Sequence, residues 1–203
     1  MNRGHDRPNP AERSTDVSPL EVEQKYRVSS HDSLLADLLK LNAAEMPLEE
    51  HCDIYLQHPS RDFGVSGEAF RIRQVNHSAV VTYKGPRFAG PIKTRMELEI
   101  PLVEETDREW LQVFLSLGFR EVARVNKQRR SFAVQFQSES FTVALDDVKR
   151  LGKFVEIEAI VHDRSKLGTV QRNIAELASE LVLEEVEPRS YLTQLLELDV
   201  SKS

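Results

Sequence analysis

The chain of 203 residues has one cysteine, Cys52, one tryptophan, Trp110, and no surplus of basic charge. A lone cysteine excludes an intramolecular disulfide and a four-thiolate zinc site, so a reducing compartment, the cytoplasm, is the natural expectation. No apolar run reaches the roughly 18 residues of a membrane helix, and "MNRGHDRPNPAERSTDVSP" has no apolar segment to serve as a secretory signal. Neither a membrane nor a nucleic acid is therefore expected as a partner, since a net charge of −6 leaves no general basic face for phosphate backbones. Residues 1–18, rich in Pro, Asn, Ser and charge, read as a disordered tail; residues 19–203 read as a single domain.

What the chain has in abundance is two-residue alternation. Eight strands are expected, around 20–28, 52–58, 68–75, 78–84, 93–101, 121–135, 140–147 and 153–161, with "NHS" and "QSES" suited to hairpin turns. Helical periodicity appears in "HDSLLADLLKLN", with Asp32 as N-cap and Leu34, Leu35, Leu38, Leu39 and Leu41 in a stripe. In "ETDREWLQVFLSLGF", Thr106 and Glu109 have capping-box spacing and Gly118 marks the end; the stripe of Trp110, Val113, Phe114 and Leu117 reads as core. A third helix is expected over 165–184, with Val170, Ile174, Leu177 and Leu181 inward, and a short fourth after Ser190.

Each strand keeps one face apolar and gives the other to charges of both signs. Glu21, Glu23 and Lys25 share a face, as do Arg71 and Arg73, as do Arg95, Glu97 and Glu99, as do Lys127 and Arg129, and as do Glu156 and Glu158. Lys84 and Asp146 end strands whose neighbours are apolar, and whether Asp146 or Asp147 turns inward is open. Two architectures satisfy this pattern. In an open sheet the charges face water and the helices stack on the other side. In a barrel the charges line a tunnel, and the amphipathic helices cover an apolar exterior. Burying so many charges calls for a ligand of matching charge, since an unpaired buried charge costs several kcal/mol. A polyphosphate gripped by Arg and Lys, with Mg²⁺ or Mn²⁺ bridging it to carboxylates, matches both halves of the set. His31, His51, His58, His77 and His162 lack ligand spacing and read as surface or capping residues. Cys52 reads as a small buried side chain, Arg130 as an outward partner of a helix carboxylate, and Asp147 as a surface residue.

"EVEQK" at Glu21–Lys25 resembles the E-x-E-x-K signature of the CYTH superfamily, the triphosphate tunnel metalloenzymes. "DIYL" (Asp53, Tyr55), "AFRIRQ", "VTYKGP", "TRMELEI", "NKQRR", "LDDVKRLGKFVEIE" and "SYLTQLL" (Ser190, Tyr191) follow in family order, over residues 19–198. The resemblance implies an α+β fold: an eight-stranded antiparallel β-barrel with a charged interior, covered outside by helices, and commonly a homodimer. Within the superfamily, the blocks are most similar to class IV adenylyl cyclases, although Leu56 stands where an aromatic is expected. That implies conversion of ATP to cyclic AMP and pyrophosphate. Glu21, Glu23, Glu156 and Glu158 would hold the metal, and Lys25, Arg71, Arg73, Lys84, Arg95, Lys127 and Arg129 would grip the triphosphate. Among these, Lys25, Lys84 and Arg129, with Asp146, are the catalytic candidates, Asp146 as metal ligand or proton acceptor. Glu97, Glu99, Asp53, Tyr55 and Tyr191 are further site candidates. The rival reading is a triphosphatase acting on inorganic, thiamine or nucleoside triphosphate; a third is a polyphosphate-binding module without turnover.

Overall fold

The computed structural model describes residues 19–201; the tail expected over 1–18 lies outside the described residues. In chain order the elements are β1 (Leu20–Val28), α1 (Asp32–Lys40), β2 (Ala44–Glu45), β3 (Glu49–Gln57), α2 (Phe63–Ser66), β4 (Ala69–Val75), β5 (Ser78–Lys84) and β6 (Lys93–Pro101). There follow α3 (Asp107–Ser116), β7 (Arg120–Phe136), β8 (Glu139–Val148), β9 (Gly152–Val161), α4 (Leu167–Glu180) and α5 (Tyr191–Val200).

All pairings are antiparallel, in the order β7-β3-β4-β5-β6-β1-β9-β8, and β8 pairs back to β7, so eight strands close a barrel. β2 is a two-residue addition to the outer course of β7. The turns "NH" and "QS" that join β4 to β5 and β7 to β8 are tight, and Asn76, Gln137 and Ser138 take positive φ, the geometry that suits right-twisted hairpins. The bulge at Tyr55/Leu56 is where β3 shifts register against β7.

Closure decides which face is inside. Leu20, Val22 and Tyr26 of β1, Phe132 and Val134 of β7, Phe141, Val143 and Leu145 of β8, and Val155 and Ile157 of β9 form one outer wall. Against it pack Leu34 and Leu38 of α1 and Val170, Ile174, Leu177 and Leu181 of α4, as their helical spacing predicts. This two-layer core puts the alternate, charged residues inside the barrel, which rejects the open-sheet arrangement.

The interior is not charged throughout. Val125, Val148 and Phe154 lie on the same strand faces as Lys127, Asp146 and Glu156, and with Tyr55 they form an apolar cluster onto which α5 sets Tyr191 and Leu195. One end of the barrel is thus plugged by apolar side chains and the C-terminal helix. Ser190 caps that helix by accepting from the Thr193 N–H at 3.0 Å.

Four local expectations are corrected. α1 begins at Asp32 rather than after it, and Asp32 receives the Ser30 hydroxyl at 2.8 Å instead of capping. Thr106 does not complete a capping box, because its hydroxyl donates to the Val103 carbonyl at 2.7 Å. The α3 stripe is not core: Trp110, Val113 and Leu117 are exposed, while Phe114 joins a ring cluster with Phe70 and Phe119. Arg130 does face outward, but its partner is Glu45 in β2, not a helix carboxylate. Asp147 is exposed and pairs with Lys153, as a surface residue should. No helix among the described residues is long and apolar enough to cross a membrane.

Candidate functional site

Strand register builds the tunnel from cross-strand pairs. Directly opposed residues have Cβ atoms about 4.5–5.5 Å apart, close enough for charged side chains to meet. β1 sets Glu21 against Arg95 and Glu23 against Lys93 on one side, and Glu23 against Glu158 and Lys25 against Glu156 on the other. β3 sets Asp53 against Arg73 and Tyr55 against Arg71; β7 sets Arg129 against Asp146; β5 sets Lys84 against Glu97. All of these side chains but Asp53 and Asp146 line a cavity of about 230 Å³. Eight cations meet it, and six carboxylates line it, with the buried Asp53 and Asp146 behind them, so the tunnel is close to neutral.

The carboxylates divide into two kinds. Asp53 and Asp146, 1% and 0% exposed, stand behind the cations and orient them. Asp53 accepts from Arg73 Nε at 2.6 Å and Arg73 Nη2 at 2.8 Å, and from Arg71 Nη1 at 3.1 Å. Asp146 accepts from Lys127 Nζ at 2.9 Å, Arg129 Nε at 2.7 Å and Nη2 at 2.6 Å, and the Tyr191 hydroxyl at 2.9 Å. Burial alone would raise Asp146, but Arg129 and Lys127 hold it at about 2. With its oxygens filled by four donors, Asp146 is a support for cations, and Asp146 rather than Asp147 is the inward member of the pair.

The second kind faces the cavity. Oxygens of Glu21, Glu23 and Glu158 lie within 4.8 Å of one another. Burial, opposed by Lys84 and reinforced by Glu23 and Glu97, raises Glu21 to about 7. Burial, opposed by Arg129 and reinforced by Glu21 and Glu156, raises Glu158 to about 7. Burial would raise Glu23 too, yet Lys93, Lys84 and Arg95 bring it down to about 2. Three crowded carboxylates, two of them holding protons near neutrality, are a donor set that a hard divalent cation satisfies: all ligands are oxygen. Glu156, grouped with them by sequence, instead takes the Arg129 guanidinium, and that partner and Lys127 hold it well below the usual carboxylate range against the effect of burial.

The remaining sequence candidates fall in place along the tunnel. Lys84 bridges Glu21 at 2.6 Å and Glu97 at 2.9 Å, and Arg95 reaches Glu21 at 3.4 Å and Glu23 at 3.6 Å. Glu99 lies at an exposed end of the lining, receiving the Thr82 hydroxyl at 3.0 Å. Tyr55 accepts from Arg71 at 3.2 Å. Lys25 is 2% exposed, and burial lowers it to about 8.

Two residues escaped the sequence reading. Lys93 lines the tunnel and contacts Glu23 at 3.2 Å; its two-residue spacing from Arg95 was the available signal. His51, read as a surface or capping residue, is buried on the inward face of β3, with Nε2 2.8 Å from Glu49. Burial and the nearby Arg73, Lys127 and Arg129 lower it to about 2, so it is a neutral ring among cations. His58, by contrast, caps as expected, its Nδ1 accepting from the N–H groups of Ser60 and Arg61. Cys52 is half-buried rather than buried.

A second, larger cavity of about 710 Å³ shares Tyr55, Arg71, Lys84, Arg95 and Ser190 with the tunnel. Its walls combine Leu56, Phe63, Phe70, Leu192 and Leu196 with Asp62, Glu68 and Arg87, and Asp62 shapes the rim by capping α2. It is a vestibule of the size of small-molecule pockets, roughly 300–1,000 Å³, opening onto the charged tunnel.

Comparison with known proteins gives a match to the CYTH domain family over residues 19–191. The protein MJ0240 of Methanocaldococcus jannaschii is 32% identical over 162 residues, 80% of this chain and 89% of the relative. Adenylate cyclase CyaB of Aeromonas hydrophila is 30% identical over 179 residues, 86% of this chain and 87% of the relative. Among solved structures, the PH1819 protein of Pyrococcus horikoshii is 37% identical with a TM-score of 0.76, covering 87% of this chain and 98% of that one.

Proposed function

Since the chain belongs to the CYTH domain family, we propose that it is a metal-dependent adenylyl cyclase, converting ATP to cyclic AMP and pyrophosphate. The observation that carries this reading is the vestibule joined to the tunnel through Tyr55, Arg71, Lys84, Arg95 and Ser190. A triphosphate in the tunnel with its nucleoside in the vestibule has its α-phosphorus at that junction. Inorganic triphosphate has no use for such a chamber. The similarity to adenylate cyclase CyaB points the same way.

In this reading the 3′-hydroxyl gives its proton to solvent water as its oxygen attacks the α-phosphorus, the bond from that phosphorus to the α,β-bridging oxygen breaks, and pyrophosphate leaves with the electron pair. Arg71, Lys84 and Arg95 bind at the junction; Lys25, Arg73, Lys127 and Arg129 hold the rest of the triphosphate and stabilise charge on the leaving group, catalysis by fixed, preorganised charge. A near-neutral tunnel receives a polyanion only with accompanying cations, which supports a divalent metal at Glu21, Glu23 and Glu158. Glu21, Glu23 and Glu158 would hold Mg²⁺ or Mn²⁺, which would supply charge neutralisation and lower the pKa of the attacking hydroxyl. Asp146 is not the proton acceptor in this scheme, because four donors already occupy it.

The test is the product of purified protein with ATP and Mn²⁺. Cyclic AMP and pyrophosphate in equal amounts are expected. ADP and phosphate, or cleavage of tripolyphosphate faster than of ATP, overturns the cyclase reading in favour of hydrolysis.

A further inference from the structure

Seven of the eight tunnel cations lie within 4.0 Å of a carboxylate: Arg71 and Arg73 on Asp53, Lys84 on Glu21 and Glu97, Lys93 on Glu23, Arg95 on Glu21 and Glu23, and Lys127 and Arg129 on Asp146. Among the described residues, Lys25 has no carboxylate at that distance. What it has is an aromatic face: its Nζ lies 4.0 Å from the centroid of the Tyr191 ring, and 5.8 Å from that of Phe154. Resting on the triphosphate reading of the tunnel, we propose that Tyr191 is a positioning residue whose ring face holds the Lys25 ammonium in place of a carboxylate.

The ring is well fixed for that task. Its hydroxyl donates to Asp146 at 2.9 Å, its plane meets Phe154 at 64° with centroids 5.0 Å apart, and its backbone opens α5 directly after the Ser190 cap. The quadrupole of an aromatic face attracts a cation, most strongly where water is excluded, yet brings no net charge. The distinction matters for binding. A phosphate that approaches Arg73 or Lys127 must share the cation with its aspartate. At Lys25 it meets an ammonium that lines the cavity with no carboxylate within 4.0 Å, Glu156 and Glu23 acting on it only from farther away. The C-terminal helix thereby acts on the triphosphate through a side chain that belongs to the first strand. Lys127 Nζ also lies over the ring, 5.4 Å from its centroid, but Asp146 holds it.

Calorimetric titration of the full chain with Mg²⁺ and tripolyphosphate tests the assignment. Tyr191→Phe, which keeps the ring, should bind within about threefold of the parent, and Phe analogues carrying one to three fluorines at position 191 should weaken binding stepwise, to about tenfold, as the ring face loses its negative potential. In a Lys25→Met background the same fluorine series should be flat. A flat series with Lys25 present, or an equal decline in Lys25→Met, overturns the proposal, because fluorination preserves shape and a merely structural ring would not register the lysine. Failure of the unmodified protein to bind tripolyphosphate overturns the tunnel reading instead. The hold on Lys25 is then read from melting temperature, which fluorination should lower only when Lys25 is present; no such difference overturns the proposal too.

Discussion

Replacing Asp53 by Asn keeps the shape of a side chain that is 1% exposed and removes the charge on which Arg71 and Arg73 converge. Three charge-assisted hydrogen bonds, at 2.6, 2.8 and 3.1 Å, end on this carboxylate. Arg71 and Arg73 hold it far below the ordinary aspartate range, although burial, the largest influence, opposes them. Breaking a buried ion pair by removing one partner costs about 3–5 kcal/mol, because the other charge is left uncompensated. The arginine side chains keep 10% and 13% exposure toward the tunnel, so water takes up part of that cost. A loss of about 3 kcal/mol is the resulting expectation, a melting temperature lower by roughly 6–12 °C at two to four degrees per kcal/mol.

The same reasoning fixes the response to ligand. With Asp53→Asn, two guanidinium groups face the tunnel without an anion, and tripolyphosphate supplies one. Ligand that binds only the folded state stabilises in proportion to its affinity. With Mg²⁺ present, tripolyphosphate should therefore raise the melting temperature of Asp53→Asn by more than it raises that of the parent protein. Thermal denaturation followed by circular dichroism, with and without tripolyphosphate, reads both effects. A fall of less than about 2 °C, or a ligand increment no larger than in the parent, would refute the view that Asp53 is a buried counter-ion for two phosphate-binding arginines.

Glu21→Gln and Glu158→Gln should each lower turnover by at least about a hundredfold, with unfolding temperatures near that of the parent; full activity in either removes that glutamate from the metal site. Because Glu21 and Glu158 both sit at about 7 without metal, cation binding must expel protons below neutrality, so Mn²⁺ affinity should fall as pH drops from 8 to 6 and level off above 8. An affinity that is flat across that interval, measured by calorimetry in two buffers of different ionisation enthalpy, contradicts the protonated pair. Leu38→Ala, at a position 0% exposed where α1 meets the outer wall, should cost about 2–5 kcal/mol in denaturant unfolding while leaving the product unchanged.

The tunnel was legible because alternation is local: Glu21, Glu23 and Lys25 share a face whatever the strand pairs with. What alternation leaves out is partnership, which depends on register between strands far apart in sequence. Asp53 is 20 residues from Arg73, and Asp146 is 17 from Arg129, and only closure of the barrel shows these aspartates behind the cations rather than on the cavity wall. Register likewise separates Glu156, opposite Lys25, from Glu158, opposite Glu23, and so splits a pair that the sequence groups together. α3 shows the converse limit, since helical spacing assigns Trp110, Val113 and Leu117 a common face without saying what that face meets. Breaks in alternation were the overlooked signal. Val125, Val148 and Phe154 occupy the charged phase of their strands, and a hydrophobic residue there needs an apolar neighbour inside the barrel. That neighbour is α5, and the need to cover those three side chains brings Tyr191 over Lys25. The same apolar residues that interrupt the charge pattern therefore place the ring that faces the one tunnel cation with no carboxylate within 4.0 Å among the described residues.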